Sequence, residues 1–280
     1  MGLFKYLDAS KLVFFENCLV LLTPPAHLND PWDFLPKGRV PSEDEILQAW
    51  REIETEIARS SVIDLPVQFK QREQRRRLER MRVDFASKEF LSEQGKNYRE
   101  EISKIVGVVS LTELPLSPVM WAHYAQSHTG FVAEFAADDK TEMNGFRIRM
   151  CAVGPIVAGK VKYELDFKQI EKDASNVHQL CWSKHRDWEH EQEWRIIWSL
   201  QEPPTRKVPH AKCGEQQMRY CLPFEPSGLR RVIFGMGMKA EVKQRLCDML
   251  SREKFKHVLK QTTAIDPKTG ELVLNNMDSP

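Results

Sequence analysis

The sequence has no long apolar run, no targeting segment and no strong net charge. The apolar stretch from Leu12 to Leu22 is interrupted by Glu16 and Asn17, and it falls short of the roughly 18 residues of a membrane helix. It also has no basic leader and no small-residue cleavage site, which argues against a secretory signal. A formal net charge of +1 over 280 residues sets up no overall field toward nucleic acid. We therefore expect a globular protein with no membrane partner.

The cysteines show none of the spacing that marks a metal ribbon or a redox pair. All six are scattered, and none forms a CxxC pair. This pattern is typical of reduced, mostly buried thiols and predicts a cytoplasmic location. A structural zinc site at His210, Cys213 and Cys221 is the alternative, but the spacing is loose and no second close pair follows. We therefore favour buried thiols and assign no metal ligand.

Several common catalytic motifs are missing as well. The sequence has no Walker-type phosphate loop, and Gly235-Met236-Gly237 lacks the third glycine of a dinucleotide-binding turn. It has no HExxH helix and no GxSxG elbow. These absences exclude the common routes to nucleotide hydrolysis, zinc hydrolysis and serine chemistry.

The order of the predicted elements indicates an α+β fold. Strand signals cluster along the chain and do not alternate regularly with helices, which disfavours a doubly wound parallel sheet. We predict a curved, mainly antiparallel split sheet with flanking helices. The predicted strands cover residues 3–6, 19–23, 106–111, 131–135, 146–153, 156–163, 193–200, 219–224 and 231–234. Helices are predicted at residues 165–186 and 240–251.

A helical insertion interrupts these strand signals. Ser42 followed by Glu45 is a capping box, and the apolar residues after it follow helical spacing. The insertion is predicted over residues 42–104. We expect a single domain over residues 1–265 that contains it, and a flexible polar tail over residues 266–280.

An arginine-rich stretch lies inside the insertion. Between Lys70 and Arg82, seven basic residues face two acidic ones, which leaves a local charge of +5. Such a helix could grip a phosphate backbone, with Arg75, Arg76 and Arg77 as the contacts. It could equally be a solvated helix face, which is what most charge runs are.

The segment Trp188–Trp198 is the richest in reactive side chains. Its second half predicts a strand, because side chains on a strand alternate between two faces. Glu193 and Arg195 fall on one face, and this pair could fix a carboxylate at the edge of a pocket or simply lie on a solvated surface. The other face is apolar and carries Trp194, Ile196, Trp198 and Leu200.

Four polar clusters are the remaining candidates for chemistry. They are Lys5–Tyr6, Asn29–Asp30, His123–Tyr124 with His128, and Glu191 and Glu193 with Arg195. Each has a structural alternative: a turn that caps itself, side chains that satisfy a helix end, or an ion pair on a strand surface. The tryptophans near the last cluster more often form core than a platform for stacking bases.

Taken together, the clusters resemble a widespread bacterial family of unknown function. Its members open with Lys-Tyr on the first strand, and carry an FNDPF-like loop, a WxHYaxxHxG segment and an E-x-E-W-R strand. Leu28 and Trp32 replace the usual phenylalanines here but keep an apolar contact. Order and spacing match over most of residues 3–237, and the corresponding pieces are Phe4-Lys5-Tyr6, Leu28-Asn29-Asp30-Pro31-Trp32, Trp121 to Gly130, and Glu191-Gln192-Glu193-Trp194-Arg195.

The layout also resembles ADP-ribosyltransferases that modify protein or nucleic acid. This resemblance implies a first-strand polar residue at the nicotinamide ribose, an aromatic residue stacked on the nicotinamide, and a late catalytic glutamate. Lys5 or Tyr6 would take the first place, Tyr124 the second and Glu193 the third. Lys5 stands where histidine or arginine is usual, and a clear Ser-Thr-Ser strand is missing.

The reaction implied by this resemblance is cleavage of NAD through an oxocarbenium-like state, which a buried carboxylate would stabilise. Arg195 could hold Glu193 ionised or bind a diphosphate. The candidate catalytic residues are Glu193, Glu191, Tyr124 and His123. The candidate NAD-binding residues are Lys5, Tyr6, Asn29, Asp30 and Arg195.

The leading hypothesis is therefore an ADP-ribosyltransferase-like enzyme that cleaves NAD and modifies a macromolecule. Its target would be a nucleic acid or a protein. By analogy, it would be a bacterial toxin or an anti-phage defence effector with a neutralising partner protein. The first alternative is a metal-dependent nuclease, in which Asp30, Glu191 and Glu193 hold a divalent ion and His123 is the general base. The second is a non-catalytic module that binds nucleic acid or a partner protein.

Overall fold

The structure is a computed structural model that describes residues 2–60, 67–140, 145–148, 156–165, 179–209 and 218–277. The chain divides into two compact units. The first comprises Met1–Phe34, Ile102–Leu165 and Cys181–Pro280, and the second comprises Leu35–Glu101 and Asp166–Leu180.

The second unit contains most of the helical residues. The capping box predicted at its start is present: Ser42 accepts from the Glu45 backbone N–H at 3.3 Å, and the Glu45 carboxylate accepts from the Ser42 N–H at 2.9 Å. Across both units, the helices are α1 (Leu12–Phe15), α2 (Glu43–Ser60), α3 (Val67–Phe85), α4 (Lys88–Ser103), α5 (Pro118–Tyr124) and α6 (Ala240–Leu250). No described helix is both long and apolar enough to cross a membrane.

The first unit contains the strands. They are β1 (Gly2–Leu7), β2 (Leu19–Leu21), β3 (Val106–Thr112), β4 (Phe131–Lys140), β5 (Gly145–Ile148), β6 (Ile156–Lys160), β7 (Lys162–Glu164), β8 (Ser183–His185), β9 (Glu193–Ser199), β10 (Arg206–Pro209), β11 (Met218–Pro223), β12 (Leu229–Phe234), β13 (Leu259–Ile265) and β14 (Leu272–Asn276). Nine of them form one sheet in the order β1-β3-β9-β6-β5-β4-β12-β13-β14.

The large sheet is strongly curved and mainly antiparallel. Strand β1 pairs with β3 at Phe4 and Thr112, and it pairs along its whole length with β4. Since β3 and β4 are also connected through β9, β6 and β5, the sheet must bend back toward β1. The pairing of β12 with β13 is parallel, and the other pairings of this sheet are antiparallel. The predicted α+β class is therefore confirmed.

Residues 131–137 of strand β4 are buried on both faces and separate two apolar clusters. Phe131, Ala133 and Phe135 lie in the larger cluster, and Val132 packs in the smaller one. The smaller cluster also contains Phe4, Tyr6, Met120, Trp121, Ala125 and Ile233. It packs Phe4 and Tyr6 of β1 against Met120 and Trp121 of α5, and these two elements carry the Lys5–Tyr6 and His123–Tyr124 clusters.

Two regions differ from the sequence prediction. The helix predicted over residues 165–186 is wrong at its end, where Ser183–His185 form β8 and pair in parallel with β7. Residues 166–178 of that prediction lie outside the described residues. The segment from residue 266 was predicted to be a flexible tail, but Leu272–Asn276 form β14, which pairs antiparallel with β13. A turn joins the two strands: the Asp266 carboxylate accepts from the N–H groups of Lys268 and Thr269, and Gly270 adopts a positive φ of 72°.

The described cysteines are free thiols. Burial raises the pKa of Cys181 to about 11 and that of Cys221 to about 12, so both remain protonated near neutral pH. His210 and Cys213, which complete the alternative zinc site, lie outside the described residues.

Candidate functional site

A small pocket in the first unit brings the predicted polar clusters together. Its volume is about 50 Å³. The predicted site residues that line it are Lys5, Tyr6, Asn29, Tyr124, Glu191 and Glu193. The other lining residues are Phe4, Leu28, Asp33, Ser110, Leu111, Thr112, Met120 and Lys184. Residues far apart in the sequence therefore surround a single hollow.

The two glutamates reach this pocket because of a local break in the backbone. Glu191 ends a 3-10 turn that begins at Arg186, and Glu193 begins β9. Between them, Gln192 adopts a left-handed conformation with φ of 45°. The Thr112 hydroxyl donates to the Glu191 carbonyl oxygen at 2.6 Å, which ties the end of the turn to β3.

Glu191 is held by a tyrosine and a lysine. Its side chain is buried, and its Oε1 accepts a hydrogen bond from the Tyr124 hydroxyl. Its Oε2 lies 2.5 Å from the Lys184 ammonium group. Asn29 completes the chain of contacts by donating to the Tyr124 hydroxyl oxygen at 2.8 Å. This places one carboxylate at the pocket wall with a cation and a phenol fixed beside it.

Glu193 is the centre of a buried ion network. Arg195 donates to both of its carboxylate oxygens at 2.9 Å, and Lys184 lies 3.1 Å from Oε2. Arg195 is 0% exposed. The solvated strand surface considered for this pair is therefore wrong. Burial raises the pKa of Glu193, but the positive charges of Arg195 and Lys184 outweigh it and lower the pKa to about 2.

Arg195 reaches beyond Glu193 to a second carboxylate. Its Nη2 lies 2.5 Å from Asp33 Oδ2, and its Nη1 donates to the Cys181 carbonyl oxygen at 3.1 Å. The guanidinium group also lies over the Phe34 ring, 5.2 Å from its centre. Because these contacts use its donors and it does not line the pocket, Arg195 positions Glu193 and Asp33 and does not face a ligand.

Asp33 combines two unusual properties. It lines the pocket, and its second oxygen, Oδ1, is buried without a hydrogen-bond partner among the described residues. Burial raises the pKa of Asp33 above its ordinary value, although the charge of Arg195 opposes the rise. A buried acceptor without a partner is uncommon in proteins, and it identifies a position where a ligand donor would be stabilised.

Lys5 adds an ammonium group with a lowered pKa. It is half-buried on β1, and its ammonium group donates to the Ser110 carbonyl oxygen at 2.8 Å. Burial lowers the pKa of Lys5 to about 8, even though the charge of Glu193 raises it. Near neutral pH the pocket therefore contains an ammonium group that is close to releasing its proton.

Besides Arg195, three predictions fall outside the pocket. His123 is exposed on α5 and is not among the lining residues. Asp30 is completely buried, and its Oδ1 accepts from the Trp32 backbone N–H at 2.9 Å, as expected of a turn that caps itself. In the helical unit, α3 carries Arg75, Arg76 and Arg77, and all three are exposed. They remain candidates for a nucleic-acid contact.

Two important residues were not predicted. Asp33 lies in the same loop as Asn29, and its short spacing from the predicted residues was an available signal. No signal in the sequence indicated Lys184, because residues 165–186 were interpreted as a helix that joins two strands. Its position on β8, buried between Glu191 and Glu193, depends on the parallel pairing with β7.

The ion network predicts a specific response to acid. Since the pKa of Glu193 falls from 4.5 to about 2 on folding, its ionised form contributes stability above about pH 4.5. That contribution should be lost as pH falls from about 4.5 to 2, while Asp33, whose pKa is raised, should offset part of the loss. Chemical denaturation at a series of pH values would measure this, and Glu193→Gln should flatten the decline. An equally steep decline in the variant would show that other carboxylates cause it.

Comparison with known proteins extends the description without naming an activity. No curated protein and no solved structure matches the chain. One family model matches, and the matched segment contains Tyr124, Lys184, Glu191, Glu193 and Arg195. The expected resemblance to an uncharacterised family is thus confirmed over that segment. Residues 120–196 are similar to the family described as "Protein of unknown function (DUF2971)".

Proposed function

We propose that the pocket is the active site of an ADP-ribosyltransferase-like enzyme that cleaves NAD and transfers its ADP-ribose group to a macromolecule. The observation that carries the proposal is the buried carboxylate of Glu191. It lies at the pocket wall and is held by Tyr124 and Lys184. A carboxylate fixed in advance, away from water, stabilises a developing positive charge most effectively.

The reaction follows from this charge arrangement. The bond between the nicotinamide nitrogen and the ribose carbon breaks, and its electron pair leaves with the nicotinamide, which becomes neutral. The ribose carbon gains the positive character of an oxocarbenium ion. A nucleophilic oxygen or nitrogen of the acceptor then forms the new bond and loses its proton. The carboxylates of Glu191 and Glu193 provide the negative potential that favours the charged intermediate state.

The two glutamates have different roles in this proposal. Arg195 binds both oxygens of Glu193, and Lys184 lies against one of them, whereas Glu191 has one cationic partner, Lys184, and one neutral partner, the Tyr124 hydroxyl. Glu193 therefore fixes the network and contributes its charge without binding the substrate. Glu191 is the carboxylate that faces the substrate, and Tyr124 contributes its ring to the pocket wall.

The size and polarity of the pocket limit how NAD could bind. A cavity of about 50 Å³ is much smaller than the roughly 300–1,000 Å³ that encloses a drug-sized ligand. Only the reactive end of the dinucleotide would enter, with the rest lying outside. The partnerless Asp33 Oδ1 is suited to accept a hydrogen bond from a ribose hydroxyl or from the nicotinamide amide group.

The ion network favours this function over the metal-dependent nuclease. Lys184 and Arg195 occupy oxygens of Glu191 and Glu193 that would bind a divalent ion, and Asp30, the third proposed ligand, does not line the pocket. Within the described part of the chain, no group of three or more His, Cys, Asp or Glu side chains is arranged to hold a metal. His123, the general base of that alternative, does not line the pocket.

The test is to incubate the protein with NAD and to measure the released nicotinamide by chromatography. We expect release above the rate in buffer alone, and no change when EDTA is added. A folded protein that releases no nicotinamide, with or without a mixture of bacterial proteins and nucleic acids as acceptors, would contradict the proposal. Cleavage of nucleic acid that EDTA abolishes would support the nuclease instead.

A further inference from the structure

A second cavity in the first unit is lined by basic and apolar residues. Its volume is about 250 Å³, and it shares no lining residue with the pocket around Glu191. We call it the basic pocket. Its lining residues are Lys11, Leu21, Leu22, Thr23, Pro24, His27, Met218, Arg219 and Tyr220.

The walls of the basic pocket are held by backbone pairing. Strands β2 and β11 are adjacent and antiparallel, with Leu21 opposite Cys221. The Leu22 N–H donates to the Tyr220 carbonyl oxygen at 2.9 Å, which extends the pairing by one residue. The Thr23 N–H donates to the carbonyl oxygen of Val108 in β3, also at 2.9 Å. The cavity is therefore built on sheet backbone, which makes it a preformed site.

The charged side chains that line the basic pocket have one sign. They are Lys11 and Arg219, and none of its described lining residues is Asp or Glu. The Lys11 ammonium group lies 3.4 Å from the Asp8 carboxylate outside the pocket, so part of its charge is neutralised. Arg219 makes no ion pair with any residue that the structure describes. Lys207 adds a further positive charge nearby, 5.5 Å from the centre of the Tyr220 ring.

The remaining lining residues specify the rest of the ligand. Leu21, Leu22, Pro24 and Met218 are apolar, and Tyr220 is a half-buried aromatic ring. A ligand that satisfied the whole pocket would carry an anionic group for the arginine fork and a flat or apolar body for these walls. At about 250 Å³ the cavity has room for one ring system with one such group.

We propose that the basic pocket binds a small organic phosphate of mononucleotide size, with the phosphate at Arg219 and Lys11 and the ring beside Tyr220. A guanidinium group binds phosphate oxygens through two parallel N–H groups. Within the described part of the chain no carboxylate forms an ion pair with Arg219, so those groups are available to a ligand. This site would be separate from the NAD-cleaving pocket, and its occupancy does not depend on the proposed reaction.

Isothermal titration calorimetry of the full-length protein tests the proposal with three probes. These are AMP, inorganic phosphate and adenosine. We expect AMP to bind more tightly than either of the other two, because only AMP has both the anion and the ring. Raising the salt concentration should weaken AMP binding, since a large part of the attraction is between charges.

Two variants with the same loss of charge separate this site from a general surface effect. Arg219→Ala should weaken AMP binding by about tenfold or more, the range expected for a charge-assisted hydrogen bond to phosphate. Arg206→Ala removes an exposed arginine from β10, the neighbouring strand, and should leave the affinity unchanged. Equal affinity in Arg219→Ala and the wild type would overturn the proposal, as would the absence of binding by all three probes. Comparable binding of adenosine would overturn the role of the phosphate.

Discussion

Replacement of Arg195 by alanine is expected to lower the free energy of unfolding by about 3–5 kcal/mol. Arg195 is completely buried, and it is the shared partner of the Glu193 and Asp33 carboxylates. Without it, two acidic groups remain close together in a region from which water is excluded. Lys184 would still neutralise part of the charge on Glu193, but Asp33 would lose its short ion pair.

Urea denaturation of the wild type and the variant measures this loss. Arg245→Ala is the matched control, because Arg245 also pairs with a carboxylate, that of Glu16, but is 55% exposed. An exposed ion pair contributes roughly 0–1 kcal/mol, so this variant should remain close to the wild type. Arg195→Lys should fall between the two, since a lysine keeps the charge but cannot make the forked contact. Equal losses for Arg195→Ala and Arg245→Ala would contradict the description of the network as buried.

Replacement of Glu191 by glutamine is expected to reduce nicotinamide release by about 100- to 1,000-fold, and this expectation rests on the proposed function. The glutamine has nearly the same shape and can still accept a hydrogen bond from Tyr124. It carries no charge, however, so it cannot stabilise the positive ribose carbon. Lys184 retains Glu193 as its partner at 3.1 Å, which should keep the fold intact.

Glu189→Gln is the control for Glu191→Gln. Glu189 is in the same 3-10 turn, but it is 55% exposed at the side chain and pairs only with the exposed Arg186 among the described residues. The control should release nicotinamide at the wild-type rate. If Glu191→Gln is folded and equally active, Glu191 is not the catalytic carboxylate. Circular dichroism of both variants would establish whether a loss of activity reflects a loss of structure.

The sequence predicted which side chains of β9 share a face, but it could not show that the polar face is buried. Alternation places Trp194 and Ile196 together in the larger apolar cluster, and Glu193 with Arg195 on the other side. A charged face usually indicates solvent. Here it is covered because Asp33 and Lys184 come from other parts of the chain, and a local pattern contains no information about such partners.

The end of the chain illustrates the opposite case, in which a local signal was present and misinterpreted. Residues 266–270 are polar and contain proline and glycine, and from them we predicted a flexible tail over residues 266–280. The same residues form a turn stabilised by the Asp266 side chain and by the positive φ of Gly270. The apolar Leu272, Val273 and Leu274 that follow were sufficient to predict the returning strand.

The ion pair of Asp33 with Arg195 joins residues that are 162 positions apart in the chain. Contacts of such long separation form late in folding, because the intervening chain must lose its conformational freedom before the partners meet. The charges of Asp33, Glu193 and Arg195 would therefore still be hydrated at the folding transition state. The ion network then slows unfolding of the native protein and has little influence on the rate of folding.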